Sequence, residues 1–371
     1  MATDEFTGRR IGTSGGRASG RWLENILRDA GTAVSAVEFE ASVRDVYATP
    51  VLEWGGQKLV HRRDFAEHLA SAEAPDLRSA ALATVDEPDW SGLWILAPSA
   101  NPEHVRRAVA EGAAGLLVPR AVDEAGWMPK MIAGPPVVAV PVISVRTDLH
   151  AAMTKHPARL QASVPMRSSV VTGVNVFGEF RAPRAGGMSI LLTAHRDGVG
   201  DDPDLRFPAA ADNASGVAVV VEAVRLLVPV LPPDVGLAVA LLDGEEVGTW
   251  GSAHHAPSVR PGTYVINVDG AAHLSEAAAI EAGGPAEPLL AALDQAGRHV
   301  GVPLRAGSMA SDNRRYAAAG LPAVGIGMGM PGYQTPAETP DRVNDDTLLA
   351  ATRLVVETVR VLVGIKESGV R

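Results

Sequence analysis

No cysteine occurs in the 371 residues. Disulfides, thiolate metal sites and cysteine nucleophiles are therefore excluded, and any metal must be held by histidine, carboxylate or other oxygen and nitrogen donors. Positive charge is also in deficit: 33 Lys and Arg stand against 43 Asp and Glu, a formal net charge of −10, and no basic patch stands out. A sequence-independent grip on nucleic acid or on an anionic membrane depends on such patches, so neither partner is expected. No apolar run approaches the roughly 18 residues of a membrane span. The opening MATDEFTGRRIGTSGG lacks the apolar core of a secretory leader. With Met1 as the native start, a cytoplasmic location is expected; a chain trimmed of its leader would read the same.

What the chain does contain is apolar residues in pattern. Hydrophobic content is 46% and charged content 20%, ordinary for a globular protein with a sizeable core, and the length favours two domains. A Gly/Ser-rich loop in FTGRRIGTSGGRASG feeds a helix with Trp22, Leu23, Ile26 and Leu27 at helical spacing, closed by Gly31. That loop is no phosphate cradle, because no apolar strand precedes its glycines and no Gly-Lys-Ser/Thr follows them.

From about Val46 the texture changes to short strands between turns: LWILAPSA, then a helix over Pro102 to Glu111, then GAAGLLVP and PPVVAVPVISV. The helix is expected to turn Val105, Ala108 and Val109 to one side and its charges to the other. This stretch resembles the protease-associated domain, a small β-rich insert found beside several peptidase families. The resemblance rests on the strand, the helix ending in Glu-Gly-Ala, the GLLV strand and the PVISV strand. His61, His68, His104, His150 and His156 fall in this region without metal-ligand spacing and read as solvated or hydrogen-bonded side chains. The division expected is residues 1–44 with 166–371 as one domain and 45–165 as the insert.

Beyond Met166 apolar strands alternate with helices. Strands are expected in SSVVTGVNVFGEF, ILLT (190–193), VGLAVALL (235–242), TYVINV (263–268), AAAIE (277–281) and AVGIGM (323–328), with helices at Gly216 to Val228, Pro288 to Val300 and Asp346 to Val363. The fold class is α/β: a mostly parallel or mixed sheet covered by helices on both faces. In such sheets ligands sit beyond the carboxyl ends of the strands. His195 and Asp197 follow ILLTA, Glu245 and Glu246 follow AVALLDG, Asp269 follows YVINV, and Asp212 precedes the helix opened by Asn-Ala-Ser-Gly. Separately, the glutamate pair reads as surface charge and Asp212 as a helix cap. Together, five carboxylates and a histidine in one crevice would repel by several kcal/mol unless neutralised. A divalent cation is the simplest remedy.

The order His195-Arg-Asp197, Asp212-Asn-Ala-Ser-Gly, Asp243-Gly-Glu245-Glu246-x-Gly248, Gly251-Ser252, Asn267-Val-Asp269, Ser311-Asp312, Gly320-Leu-Pro and Tyr333 resembles the M28 family of zinc aminopeptidases. It runs from the TGRxxGT segment at Thr7 to the last helix, interrupted by the insert. The resemblance implies His195 and Asp269 as ligands of one zinc, Asp212 as a bridge between two, Glu246 as a ligand of the second, and Glu245 as general acid/base. It also implies Asp197 as the carboxylate that orients the histidine and Tyr333 as a group that polarises the scissile carbonyl. The implied chemistry is metal-assisted amide hydrolysis of a peptide or small amide.

One departure stands out. The family's Tyr-His-Thr is Tyr333-Gln334-Thr335 here, and a neutral amide oxygen is a poorer zinc donor than imidazole. The second zinc site is therefore expected to be weaker, empty or altered, with Gln334 a doubtful ligand. Ser-Asp-His becomes Ser311-Asp312-Asn313, and the next acidic position is Glu338. Three readings follow: an aminopeptidase-type hydrolase with one or two zincs, a single-zinc acyl-transfer enzyme of the glutaminyl cyclase type, or a catalytically silent binding relative. The uncoordinated carboxylate of Glu245 in a negative crevice speaks against silence.

Overall fold

The computed structural model of the chain describes residues 1–131, 136–184 and 186–365. Eight strands form its spine: β1 (Ala33–Val46), β2 (Met166–Arg181), β3 (Ser189–His195), β4 (Gly236–Leu242), β5 (Tyr264–Val268), β6 (Ala278–Gly283), β7 (Leu304–Ala306) and β8 (Ala323–Gly327). They stand in the order β1-β2-β4-β3-β5-β8-β6-β7. The central run β4-β3-β5-β8 is parallel, whereas β1–β2, β2–β4 and β8–β6 pair antiparallel. The sheet is thus mixed, with a parallel centre.

Helices α1 (Ser14–Asp29), α2 (Gly216–Leu227), α3 (Trp250–His255), α4 (Glu287–Val300), α5 (Asn313–Ala318) and α6 (Asp345–Leu362) cover both faces. Successive strand residues point to opposite sides. Leu192 and Ile266 therefore pack with Val220 and Val224 of α2, Leu293 of α4 and Val355 of α6, while Leu191 and Val265 pack with Tyr316 of α5 on the other side. Each such fully buried aliphatic side chain contributes about 1.5–3 kcal/mol over leaving it exposed. This double burial explains why the central strands read as nearly unbroken apolar runs. Among the described residues no helix is long and apolar enough to cross a membrane.

β1 and β2 pair from Ala33↔Glu179 to Val46↔Met166 and carry the chain out to residues 51–164 and back. There a four-stranded sheet (Gln57–Lys58, Val51–Trp54, Leu160–Val164, Ala74–Ala80) and a five-stranded sheet (Phe65–Glu67, Val142–Arg146, Gly115–Arg120, Trp94–Leu96, Leu82–Thr84) share no strand with the main sheet. Their own cores centre on Trp94, Phe65 and Leu160, and on Trp90, Leu116 and Val142.

Several expectations change. The Gly/Ser-rich stretch is not a loop: α1 starts at Ser14, capped by Thr13, whose Oγ1 accepts from the Gly16 N–H at 3.1 Å. The glycines are required by packing, since a Cβ at Gly15 would fall 2.0 Å from the Phe6 carbonyl oxygen and one at Gly16 2.2 Å from that of Arg10. Of the helix face expected at Trp22, Leu23, Ile26 and Leu27, only Leu23 and Leu27 are buried, and Trp22 is exposed. In the helix Pro102–Glu111 the buried residue is Ala108, and Val109 faces solvent. From the run 135–145 only Val142–Arg146 enters a strand; Pro135 lies outside the described residues. The long strand β1 is a further addition, outside the strands expected; along it Phe39, Ala41 and Val43 are buried in alternation.

The insert is fastened to the main domain by buried charge. Arg62 donates through Nε to Asp202 at 2.7 Å and also pairs with Glu67, while Lys130 Nζ lies 2.9 Å from Asp202 and donates to the carbonyl of Gly200. His61 Nε2 sits 2.9 Å from Glu67. Asp202 is held well below the ordinary carboxylate range: its burial is outweighed by the charges of Arg62 and Lys130. His104 and His150 meet backbone carbonyls of Ser99 and Leu117, so hydrogen bonding accounts for the insert histidines that have a partner.

Candidate active site

The site is assembled at the carboxyl ends of β4, β3 and β5. Parallel register aligns His195 with Leu242 and Thr193 with Asn267. The residues just past those strand ends, Glu245, Glu246 and Asp269, therefore open onto one level. Under them Thr193 donates to Asn267 at 2.8 Å and Asn267 to Ser311 at 3.0 Å, a satisfied buried polar layer.

His195 and Arg196 point to opposite sides. Arg196 is buried against α1, donating to the Gly16 carbonyl at 2.7 Å and to Asp243 at 2.6 Å, with Ser19 and Val174 as further acceptors. His195 enters the cleft. Its Nε2 stands 3.1 Å from Asp212 Oδ1 and 3.1 Å from Asp269 Oδ1. One ring nitrogen carries at most one hydrogen and cannot serve both oxygens. A tetrahedral cation with bonds near 2 Å separates its ligand atoms by about 3.3 Å, so the spacing fits a metal. His195, Asp212 and Asp269 offer three ligand atoms that all lie within 4.8 Å of one another. A neutral imidazole and two carboxylates suit zinc. Burial opposes a charged imidazole, but Asp269, Glu245, Asp197 and Asp212 outweigh it and hold the His195 pKa well above its ordinary value.

Asp212 is no helix cap; its side chain makes no cap hydrogen bond to α2, and the neighbouring residues do the structural duty. Asn213 donates to the Val268 carbonyl at 2.8 Å and accepts from the N–H groups of Gly216 and Gly270, both at 3.0 Å. Ser215 accepts from the Ala271 N–H at 2.7 Å. A Cβ at Gly216 would lie 2.2 Å from Asn213 Oδ1, so Asn-x-Ser-Gly is a clamp between the start of α2 and the end of β5. Asp212 is thereby presented to His195, and its own N–H is accepted by Glu338 at 2.5 Å.

Asp197 Oδ1 lies 3.5 Å from His195 Nδ1, and its two oxygens accept from the N–H groups of Glu245 and Glu246 at 3.2 and 3.3 Å. One carboxylate thus faces the histidine and steadies the turn that bears both glutamates. Glu245 is part-buried and lines the cleft, whereas Glu246 is buried. Burial and the charges of Asp269, Asp312 and Asp212 push the Glu245 carboxyl well above the ordinary range, against the pull of His195.

Glu246 does not join the three-residue cluster. Its Oε2 accepts from Gln334 Nε2 at 2.7 Å, while Oε1 has no hydrogen-bond partner among the described residues. Gln334 presents an amide N–H, not its oxygen, to the acidic group. Glu338 accepts from the Gln334 N–H at 2.9 Å as well as from Asp212, tying the two segments together. Tyr333 stands at the rim, 46% exposed, its phenol kept protonated by partial burial and by the charges of Asp212 and Glu246.

Sequence reasoning missed Arg9, Arg120 and Pro129. Arg9 is buried, donating to the carbonyls of Arg196, Pro208 and Ala209, and the charges of Glu338, Asp197 and Asp212 partly offset its burial. The TGRR string alone carries no sign of this. Arg120 and Pro129 come from the insert and line a cavity of about 470 Å³ with Glu245, Glu246 and Tyr333. A second cavity of about 340 Å³, lined by Asp212, Asp269, Met309 and Met330, also reaches Glu245 and Tyr333.

Residues 175–359 match the sequence profile of peptidase family M28, a match that leaves the insert outside it. No curated protein sequence matches significantly. Among solved structures, a zinc aminopeptidase from Bacillus subtilis has a TM-score of 0.75 at 18% identity, covering 97% of this chain and 91% of that one. An aminopeptidase from Aneurinibacillus sp. strain AM-1 has a TM-score of 0.71 at 19% identity over 97% and 93%. A glutaminyl cyclase from Fimbriiglobus ruber shares the fold less closely, with a TM-score of 0.53 at 15% identity over 96% and 90%.

Proposed function

Because the chain belongs to peptidase family M28, we propose that it hydrolyses the amino-terminal amide bond of a peptide or amino-acid amide, with zinc held by His195, Asp212 and Asp269 and with Glu245 moving the proton. The observation that carries this reading is the convergence of those three ligand atoms within 4.8 Å, beside a cleft that Glu245 also lines.

A divalent cation held there supplies electrostatic polarisation of the scissile carbonyl and of the attacking water. The remaining steps belong to the chain. Glu245, whose carboxyl is held above the ordinary range by burial and by neighbouring carboxylates, accepts the proton of the attacking water as its oxygen bonds to the carbonyl carbon. The carbon–nitrogen bond then breaks, and Glu245 delivers the proton to the departing nitrogen. Tyr333, protonated at the rim of the same cleft, donates a hydrogen bond to the developing oxyanion. Asp197 holds the imidazole and both glutamate amides in place. With Glu246 bonded to the Gln334 amide, a second zinc is held weakly or not at all.

The test is product analysis with the zinc-loaded chain. Release of a free amino acid from dipeptides and aminoacyl arylamides supports the reading. Ammonia and a cyclised product from an amino-terminal glutaminyl peptide would replace it with acyl transfer, and no turnover over a broad panel would leave a binding protein.

A further inference from the structure

The two cavities meet at Glu245, Ala310 and Tyr333; both carry carboxylates, and one of them also carries a cation. One is walled by Asp212 and Asp269 and by the apolar Met309 and Met330; the other crosses to the insert and is walled by Arg120 and Pro129, with Glu246 facing them from the main domain. Among the described residues lining either cavity, Arg120 is the only cation. We infer that Arg120 is the group by which the insert binds the carboxylate of a substrate's leaving portion, making short peptides with a free carboxylate the favoured substrates. The inference rests on the hydrolase reading above and adds the substrate class.

The guanidinium is held for this purpose and is largely unengaged. Nη2 donates to the Pro129 carbonyl at 2.7 Å, which fixes its direction. Among the described residues no carboxylate lies within 4.0 Å of it, whereas the nearby Arg62 and Arg315 are committed. Arg62 is buried between Asp202 and Glu67. Arg315 donates to Thr249 Oγ1 at 2.6 Å and to the Gly248 carbonyl at 3.0 Å. An arginine has five N–H donors in a planar fork that matches a carboxylate, and among the described residues a single one is used here.

The surroundings make such a cation necessary for an anionic substrate. Glu245, Glu246, Asp212 and Asp269 all line the cleft, so a free carboxylate entering it meets acidic groups on every side but that of Arg120. A substrate α-ammonium is drawn toward the acidic cavity, and the opposite end of a dipeptide then reaches the insert wall. Arg120 thus stands as a single cation at the insert end of an acidic cleft, where the carboxylate of a zwitterionic short peptide arrives when its ammonium faces Asp212 and Asp269. Because Arg120 ends the insert strand Gly115–Arg120, the insert, and not the catalytic domain, sets this preference.

The experiment compares leucylglycine, leucylglycinamide and leucyl-glutamic acid α-amide with the zinc-loaded full chain and with Arg120→Ala and Arg120→Lys. A charged hydrogen-bonded contact predicts a kcat/KM ratio of free dipeptide to amide of about 10- to 100-fold, carried by KM. Arg120→Ala collapses that ratio toward one and Arg120→Lys restores part of it. Faster cleavage of the glutamic α-amide than of leucylglycinamide assigns the contact to an acidic side chain as well as the terminal carboxylate; equal rates restrict it to the terminus. A wild-type ratio near one, or an equal loss on all substrates in Arg120→Ala, overturns the inference. If nothing is hydrolysed, the hydrolase reading fails by itself, and calorimetric binding of leucylglycine against its amide still decides the role of Arg120.

Discussion

Gln334 donates its side-chain N–H to Glu246 at 2.7 Å, across the 88 residues that separate them in sequence. Where the family resemblance leads one to expect a histidine, a neutral amide acts as a hydrogen-bond donor to the carboxylate that the proposed second zinc site would use. Glu338 reinforces the arrangement by accepting the backbone N–H of Gln334 at 2.9 Å.

Metal content follows from that contact. Chain purified from zinc-containing medium and passed over a desalting column is expected to hold about one zinc, and Gln334→His about two, since imidazole is the better donor. Elemental analysis reads both numbers. Two tightly held zincs in the unaltered chain would refute the weakened second site.

Removing the proton shuttle separates chemistry from binding. Glu245→Gln keeps the shape of the side chain and loses its basicity, so turnover of a dipeptide is expected to fall by at least about 10²- to 10⁴-fold. Zinc content should stay constant, because Glu245 is not among the three clustered donors. Unchanged turnover would mean that another group moves the proton.

His255 supplies a pH dependence remote from the metal. Burial, with His254 adding repulsion, lowers its pKa from 6.5 to about 4; its ring lies 4.4 Å from that of Phe177 at a 40° tilt and meets the Tyr316 hydroxyl at 2.9 Å. Below pH 6.5 the unfolded chain takes up a proton that the folded chain refuses. The stabilisation is therefore complete above the unfolded pKa and is lost as pH falls toward 4, by about 2–3 kcal/mol at pH 4.5. Urea midpoints at pH 7 and 4.5 should draw closer together in His255→Asn than in the unaltered chain.

The joint between insert and main domain is a further test. Asp202→Ala strands the buried Lys130 and leaves Arg62 with Glu67 alone. Breaking a buried pair from one side costs about 3–5 kcal/mol. Four of the six tryptophans, Trp54, Trp90, Trp94 and Trp127, lie in the insert, so a fluorescence-detected denaturation should record that loss. An unchanged midpoint would show that apolar packing alone holds the insert.

The chain itself determined the fold class and singled out candidate acidic residues at the strand ends, of which Asp212 and Asp269 meet His195. Apolar runs such as ILLT and VGLAVALL identify central strands because both faces are buried, and His195, Asp212, Glu245, Glu246 and Asp269 stand out because acidic groups at strand ends have no structural need to gather there. What tertiary structure alone decided concerns pairs distant in sequence. It turned the glycines of Ser14–Gly20 into a tightly packed helix, since crowding by Phe6 and Arg10 is invisible in a string that reads as a loop. It sent Arg196 away from His195 and buried Arg9 among backbone carbonyls. It brought Gln334 to Glu246 and carried Arg120 of the insert to the cleft. Periodicity records which side of an element is buried; which side chain it meets there depends on how separate elements are stacked, and no local pattern encodes that.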